Sequence, residues 1–227
     1  EIYNHHELRR ELEAKGHRFR SDHSDTEVLV HGYREWGEGL PERLSGMFAF
    51  AILDLEKGRI FVARDHLGKK PLFYSLSDGC FAFASEATAL LHHPGVDSSI
   101  DLQAVRKLFA YSFLPAPFTL YRGIRKLPAG SWASYDFRNG NFRVSRYWQF
   151  ELAPEDGDVR DRSEELVEIL DRAVHRRLEA GVLEDVVLVG DIDTSALQPQ
   201  TSPDRGADGI TDEGLGHGFL RERVFFR

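Results

Sequence analysis

Residues 47–54 form an almost unbroken apolar run, Met-Phe-Ala-Phe-Ala-Ile-Leu-Asp, and residues 59–64 form a second, Arg-Ile-Phe-Val-Ala-Arg, after a Glu-Lys-Gly turn. Two shorter apolar runs follow at 71–74 and 81–84, and the Asp-Gly pair between them, at 78–79, is a hairpin signal. Four short strands joined by tight turns predict an antiparallel sheet. Their apolar residues do not simply alternate with polar ones, so we expect both faces of the sheet to be covered.

Helical patterns precede these strands. Leu8 and Leu12 lie four residues apart among charged residues, which is the spacing of one helix face. Ser24 or Asp25 can cap a second helix, and Glu27 follows Ser24 by three residues, as a capping box requires. The sequence therefore predicts two helices ahead of the sheet.

The chain downstream of the strands divides into further segments. Helical spacing returns after 85–86 and over 102–109, and a second hairpin pairs 131–137 with 142–148. Residues 151–162 are polar and acidic, which is typical of a linker. We therefore expect the first folded unit to end near residue 150.

An amphipathic helix follows the linker and carries apolar residues on one side between Leu166 and Leu178. Residues 186–189, Val-Val-Leu-Val, then predict a short buried strand. From Gln198 onward the sequence is rich in Pro, Gly, Asp and Thr, and we expect 198–227 to be disordered and leave it unassigned.

Charge and hydropathy exclude several classes of function. The formal net charge of the 227-residue chain is -8. This argues against binding to nucleic acid, because a protein that binds the phosphate backbone needs a basic face. No apolar run approaches the roughly 20 residues that span a bilayer. We therefore expect a soluble cytoplasmic protein with neither a nucleic-acid nor a membrane partner.

Cysteine and histidine do not indicate a disulfide or a metal site. The single cysteine, Cys80, cannot form an internal disulfide, and its apolar neighbours predict a buried position in a strand. The ten histidines include the neighbours His5-His6 and His92-His93, but adjacent histidines cannot share one helix face. We therefore predict no metal site.

Several segments, taken in order, resemble the family of glutamine-hydrolysing asparagine synthetases. These segments are Glu1-Ile2-Tyr3-Asn4-His5, Ser24-Asp25-Thr26-Glu27, Gly46–Ala51, Arg64–Tyr74, Phe83-Ala84-Ser85-Glu86, Gly123–Gly130 and Arg146-Tyr147-Trp148. Each segment is a weak signal alone. Their order and spacing together make the resemblance specific, and it extends over residues 1–195.

The resemblance implies an α+β chain in two parts. Residues 1–150 would be a class II glutamine amidotransferase domain with the N-terminal-nucleophile (αββα) glutaminase fold, incomplete at its N-terminus. After the linker at 151–162, residues 163–197 would be the first helix and strand of an α/β ATP-pyrophosphatase domain. In such enzymes an N-terminal cysteine releases ammonia from glutamine, and the ammonia converts ATP-activated aspartate into asparagine.

Two residues are assigned to glutamine by this resemblance. A site for a free amino acid must offer a carboxylate to the ammonium group and a cation to the carboxylate. Glu1 and Asp25 match the family residues that hold the α-amino end, and Asp25 can cap its helix at the same time. Arg64 and Asp65, by contrast, predict a structural ion pair that locks the turn before Gly68.

The sequence departs from the family at its nucleophile. Hydrolysis of an amide needs a thiolate and oxyanion donors, but no cysteine precedes Glu1, and Cys80 lacks the free α-amino group that serves as base. We therefore predict no catalytic residue and expect an inactive, truncated fragment, since losing a nucleophile costs on the order of a millionfold in rate. Open sheet edges should also make the isolated chain self-associate.

The ATP loop of the family is altered as well. Its matching residues here are Gly190, Asp193, Thr194 and Ser195. Val189 replaces the first serine of the family loop, and Asp191 replaces its second glycine. Phosphate loops aim backbone N–H groups at the anion, so a carboxylate at Asp191 adds bulk and like charge. ATP and Mg²⁺ are cofactors of the intact family member, and we expect this chain to bind neither.

Three functions remain open. The first is a fragment of an asparagine synthase whose substrates are glutamine and aspartate, with a homodimer left open. The second is a related amidotransferase-ligase that acts on another carboxylate, which the shared glutaminase residues cannot separate from the first. The third is a non-catalytic domain that keeps the fold in order to bind a partner.

Overall fold

The computed structural model describes residues 1–22, 24–77, 79–153, 159–179 and 222–225. The helices are α1 (His5–Ala14), α2 (Asp25–Trp36), α3 (Leu40–Arg43), α4 (Ala87–Leu91), α5 (Leu102–Tyr111) and α6 (Val159–Glu179), with a short 3₁₀ turn at Gly37–Gly39. The strands are β1 (Ala49–Asp54), β2 (Arg59–Arg64), β3 (Phe73–Ser77), β4 (Cys80–Ala84), β5 (Arg125–Lys126), β6 (Ser131–Asp136), β7 (Phe142–Arg146) and β8 (Glu222–Phe225).

These strands form two antiparallel sheets. One has the order β7-β6-β2-β1-β8 and the other has the order β4-β3-β5. The predicted hairpins are confirmed, because β1 pairs with β2, β3 with β4, and β6 with β7. The prediction of one sheet for the first four strands is wrong. The chain leaves β2 through the turn that begins at Asp65 and enters the second sheet at β3.

Successive side chains of β1 and β2 point to opposite faces of their sheet, and each face packs against a different layer. Phe50, Ile52 and Phe61 belong to a core cluster shared with α1 and α2, whereas Ala51 and Val62 belong to a second cluster shared with the three-stranded sheet. Each fully buried large side chain contributes about 1.5–3 kcal/mol. The second sheet in turn carries α4 on β3 and β4. The order of layers is therefore helix, sheet, sheet, helix. Both faces of the five-stranded sheet are covered, as expected.

Helix α2 begins as the sequence predicts. The Ser24 hydroxyl accepts a hydrogen bond from the backbone N–H of Glu27 at 3.3 Å. The second half of the capping box differs, because the Glu27 carboxylate instead accepts bonds from the backbone N–H groups of Arg20 at 2.7 Å and Ser21 at 2.9 Å. Glu27 therefore fixes the loop between α1 and α2.

Cys80 is exposed, so the prediction of a buried cysteine is wrong. It is the first residue of β4 and pairs with Ser77 at the tip of the β3–β4 hairpin, beyond the core that buries Phe81. Its sulfur lies 3.8 Å from Nε2 of His93. No group of three or more potential metal ligands occurs in the part of the chain that the structure describes.

The C-terminal part of the chain is described only in places. Helix α6 begins at Val159, so the last residues of the segment predicted as a linker, 151–162, are helical. Four residues of the segment predicted as disordered, 198–227, form β8. The predicted strand at 186–189 and the loop residues Gly190, Asp193, Thr194 and Ser195 lie outside the described residues. None of the described helices is both long and apolar enough to cross a membrane.

Candidate functional site

The start of α2 holds the first residues of the chain. Oδ2 of Asp25 accepts a hydrogen bond from the backbone N–H of Ile2 at 3.1 Å, and the Thr26 hydroxyl donates to Oδ1 of Asp25 at 3.3 Å. Ile2 itself is fully buried. The structure therefore brings together the two residues assigned to glutamine, since Glu1 is the direct neighbour of the residue that Asp25 holds.

Glu1 is fixed from its other side by residues 46–47. Its backbone nitrogen donates to the Met47 carbonyl at 2.7 Å, and the Met47 N–H donates to the Glu1 carbonyl at 3.0 Å. Gly46 lies opposite Ile2 with φ +152°, and a Cβ atom there would lie well inside van der Waals contact with the Glu1 carbonyl oxygen. Only glycine fits this close approach. The sequence indicated no such role, although a glycine directly before a buried strand is the available signal.

A cavity of about 520 Å³ opens beside Glu1. It is bounded by residues 47–51, by residues 70–72 of the turn after β2, and by 83–85 with Ala89. This volume is in the usual range for small-molecule sites, and most of its lining is apolar, as in such sites. Charged side chains among the lining residues are Glu1 and Lys70. Asp25 lies behind Glu1 and does not line the cavity.

The turn that forms one wall of this cavity is held by Arg64 and Asp65. The buried guanidinium of Arg64 donates to the backbone carbonyls of Gly68 at 2.7 Å, Lys70 at 2.7 Å and Leu127 at 2.6 Å. The Asp65 carboxylate accepts from the backbone N–H groups of Lys69 at 2.8 Å and Lys70 at 2.9 Å.

The prediction of a direct ion pair between these two residues is therefore replaced by two separate sets of bonds to the backbone. Their role is nevertheless structural, as predicted. Burial lowers the pKa of Arg64, and the nearby Asp65 carboxylate opposes that shift. Arg64 in addition ties the turn to Leu127, which precedes β6.

Two titrating side chains stabilise the segment from which Asp25 projects. Burial alone would raise the pKa of Glu27, but hydrogen bonds from Ser21, from the Arg20 backbone and from His31 outweigh burial and lower this pKa to about 2. Burial and the nearby His17 lower the pKa of His31, although Glu27 partly opposes the shift. Glu27 is therefore ionised, and His31 neutral, near pH 7.

The layered sheets and the cavity beside Glu1 define a mixed α/β domain with a site large enough for a small molecule. The family model described as "Glutamine amidotransferase domain" matches residues 1–148. The chain belongs to this family. The match confirms the resemblance drawn from the sequence motifs.

Curated relatives agree with this assignment. The chain is 36% identical over 199 residues to asparagine synthetase [glutamine-hydrolyzing] 3 of Bacillus subtilis, a match that covers 87% of this chain and 32% of the relative. It is 53% identical over 92 residues to putative asparagine synthetase [glutamine-hydrolyzing] 1 of Methanocaldococcus jannaschii, covering 40% of this chain and 16% of that protein. The matched region thus spans about a third of the first relative's length.

A solved structure is also similar in part. Glutamine phosphoribosylpyrophosphate amidotransferase of B. subtilis, in complex with ADP and GMP, is 21% identical, with a TM-score of 0.45. The match covers 66% of this chain and 28% of that structure.

Proposed function

We propose that residues 1–148 form an N-terminal-nucleophile (αββα) glutaminase domain that binds free glutamine beside Glu1 and Asp25. Two observations support this. The family match covers these residues, and the fold places a fixed carboxylate, Asp25, directly behind the residue that lines the cavity. A glutamine molecule has one ammonium group for such carboxylates to bind.

The single observation that carries the proposal is the hydrogen bond from the Ile2 backbone to Asp25. It uses one oxygen of the carboxylate and orients the group, while the negative charge remains available to an ammonium group. Asp25 lies in the first turn of α2, where the helix dipole favours a negative charge. Glu1 would then contact the ammonium from the cavity side, the charge of Asp25 would attract it from behind Glu1, and the apolar walls would contact the aliphatic part of glutamine.

We also propose that these 227 residues, on their own, bind glutamine without hydrolysing it. The only thiol is that of Cys80, which stands at the exposed tip of the β3–β4 hairpin. The cavity is lined by the opposite end of β4, at 83–84. A thiolate must lie next to the carboxamide carbon to attack it, and Cys80 does not.

We extend the proposal to the longer proteins that this chain resembles. The domain would supply ammonia for the ATP-dependent conversion of aspartate into asparagine, in the cytoplasm, as a monomer or homodimer. The alternative is an amidotransferase-ligase for another carboxylate, which would share all the glutamine contacts. Gly190, Asp193, Thr194 and Ser195 would belong to an ATP loop, but Asp191 makes that loop a poor fit for phosphate, and we expect no binding of Mg²⁺-ATP there.

Calorimetric titration with glutamine tests the site. The variant Asp25→Asn keeps an acceptor for the Ile2 N–H but removes the charge, so it separates binding from folding. Opposite charges several ångströms apart near a protein surface attract by a few kcal/mol, so we expect the dissociation constant to rise by about tenfold to hundredfold.

The matched control is Asp101→Asn, because Asp101 also accepts backbone bonds at a helix start, that of α5, but its partners Gln103 and Ala104 neither line the cavity nor neighbour a residue that does. It should leave glutamine affinity unchanged. Equal effects of the two variants, or no glutamine binding by the parent chain, would refute the proposal.

A glutaminase assay tests the claim about turnover. Glutamate release by the parent chain should match a buffer blank, and Cys80→Ala should leave both this result and the glutamine affinity unchanged. Glutamate release that disappears in Cys80→Ala would show that the exposed thiol is the nucleophile after all.

A further inference from the structure

A second cavity, of about 430 Å³, lies between the turn after β2 and the last turns of α6. Its lining includes Tyr3, Asp65 and Lys69 from the first domain and Arg176 and Arg177 from α6. It is separate from the cavity beside Glu1, although both contact Met47. Its charge distinguishes it, because three of its lining side chains are cations.

The single carboxylate in this lining does not neutralise those cations. Both oxygens of Asp65 accept hydrogen bonds from backbone N–H groups of the turn. Lys69 and Arg176 form no ion pair with any residue in the described ranges. Arg177 donates to the Ala173 carbonyl at 2.8 Å and lies over the Tyr3 ring at 5.2 Å. In a chain of net charge -8, this is a local concentration of positive charge.

Tyr3 provides an independent indication. Its hydroxyl oxygen is buried and has no hydrogen-bond partner among the described residues. A buried polar group without a partner is unfavourable by about 1–3 kcal/mol, so such groups are normally satisfied. An acceptor in the cavity would satisfy it.

The position of the two arginines in α6 has a simpler explanation, which does not account for the whole cavity. Cations in the last turn of a helix offset the helix dipole, and Arg176 and Arg177 are in the last turn of α6. That effect requires neither Lys69 nor a buried hydroxyl at the same place. The convergence of both elements on one cavity therefore needs another reason.

We propose that this cavity binds a small oxyanion, a phosphate or carboxylate group, through Lys69, Arg176, Arg177 and the hydroxyl of Tyr3. Guanidinium groups bind such anions with paired hydrogen bonds, and a phenol adds one donor of fixed direction. His66 also lines the cavity, but burial lowers its pKa, so it adds no charge near pH 7. The inference does not depend on the glutamine site.

Titration of the full chain with inorganic phosphate at constant ionic strength tests the proposal. Binding should be saturable, and Arg176→Gln should weaken it by about tenfold or more. Tyr3→Phe keeps the ring under Arg177 but removes the hydroxyl, and it should weaken binding by at least about threefold. A parallel titration with succinate shows which of the two anion classes binds more tightly, and saturable binding of either supports the site.

The control is Arg172→Gln, which removes the same charge from the same helix. Arg172 pairs with Glu168 and does not line the cavity, so phosphate affinity should change by less than about twofold. An equal loss in Arg172→Gln would mean general attraction by the helix and would overturn the proposal. So would the absence of saturable binding of both phosphate and succinate.

Discussion

Replacement of Gly46 by alanine should disrupt the proposed glutamine site without changing any side chain in it. The φ angle of Gly46 is +152°, which side chains disfavour, and the new Cβ would press on the Glu1 carbonyl oxygen. Glu1 would have to move by about 1 Å or more to restore ordinary contact. Such a shift breaks both hydrogen bonds between Glu1 and Met47 and pulls Ile2 away from Asp25.

The magnitude follows from these contacts. If the chain keeps its path, backbone strain of about 1–3 kcal/mol adds to the weakening of three hydrogen bonds at about 1 kcal/mol each. If residues 1–2 detach instead, the same bonds are lost together with the burial of Ile2, which contributes about 1.5–3 kcal/mol. Either route predicts a loss of about 4–6 kcal/mol in the free energy of unfolding.

Substitutions at two other glycines serve as controls that distinguish backbone strain from the steric clash of the new Cβ. Gly16 also has a positive φ, of +93°, but open space at its Cβ position, so Gly16→Ala should lose only the strain, about 1–2 kcal/mol. Gly39 has open space and φ -78°, so Gly39→Ala should be neutral or slightly stabilising.

Urea denaturation and glutamine titration measure both effects. Gly46→Ala should lower stability more than Gly16→Ala and should abolish measurable glutamine binding. Gly16→Ala and Gly39→Ala should retain it. A Gly46→Ala variant as stable as Gly16→Ala, with normal glutamine affinity, would show that the contact between 46–47 and Glu1 does not shape the site.

Other expected outcomes concern the scaffold. Arg64→Met should lower the free energy of unfolding in urea by about 3–5 kcal/mol because three backbone carbonyls lose a charged donor, whereas Arg146→Met on the exposed side of β7 should change it by less than about 0.5 kcal/mol. Urea denaturation at decreasing pH should show two losses of stability. The first begins below pH 6.5, because the unfolded chain protonates His31 more readily than the folded chain does, where its pKa is lowered. The second begins below pH 4.5, because Glu27 has a pKa of about 2 in the folded chain and is protonated more readily in the unfolded chain. Glu27→Gln should reduce the second loss, to which Glu35 and Asp97 also contribute because hydrogen bonds lower the pKa of each; an unchanged second loss would assign it to those two carboxylates. Phe61→Ala should destabilise by about 3–5 kcal/mol in the same assay, since its ring is fully buried between Tyr33 and Trp132; a loss under 1 kcal/mol would contradict the described core.

The sequence predicted well what depends on neighbouring residues. The hairpin of β6 and β7 and the Ser24 cap of α2 follow from short-range patterns, and both are confirmed. The sequence failed where distant segments meet. Nothing local shows that β2 and β3 belong to different sheets, because the turn between them is held by a bond from Arg64 to Leu127, which is 63 residues away.

Contacts between distant segments also explain why the burial of single side chains was predicted wrongly. Phe81 and Cys80 are adjacent in an apolar run, yet only Phe81 is buried, because the hairpin extends past the core at its tip. The sequence likewise did not indicate that Gly46 allows the close approach of Glu1, because this contact depends on residues 1–2 lying beside it. The assignment of Asp25 to glutamine came from a motif and stays a prediction, while the structure shows that a backbone bond from Ile2 holds its carboxylate in place.

The site is thus formed by three segments that are far apart in sequence and meet at the backbone of residues 1–2. Asp25 holds that backbone from α2, and residues 46–47 hold it from the start of β1. In the proposed site Asp25 both holds the Ile2 backbone and supplies a negative charge, so removing its side chain would affect folding and binding together. Asp25→Asn removes only the charge, whereas Gly46→Ala displaces the backbone of Glu1 and Ile2. If the charge of Asp25 and the backbone position of residues 1–2 both serve glutamine binding, both variants must weaken it. Only Gly46→Ala should also cause a large loss in the free energy of unfolding.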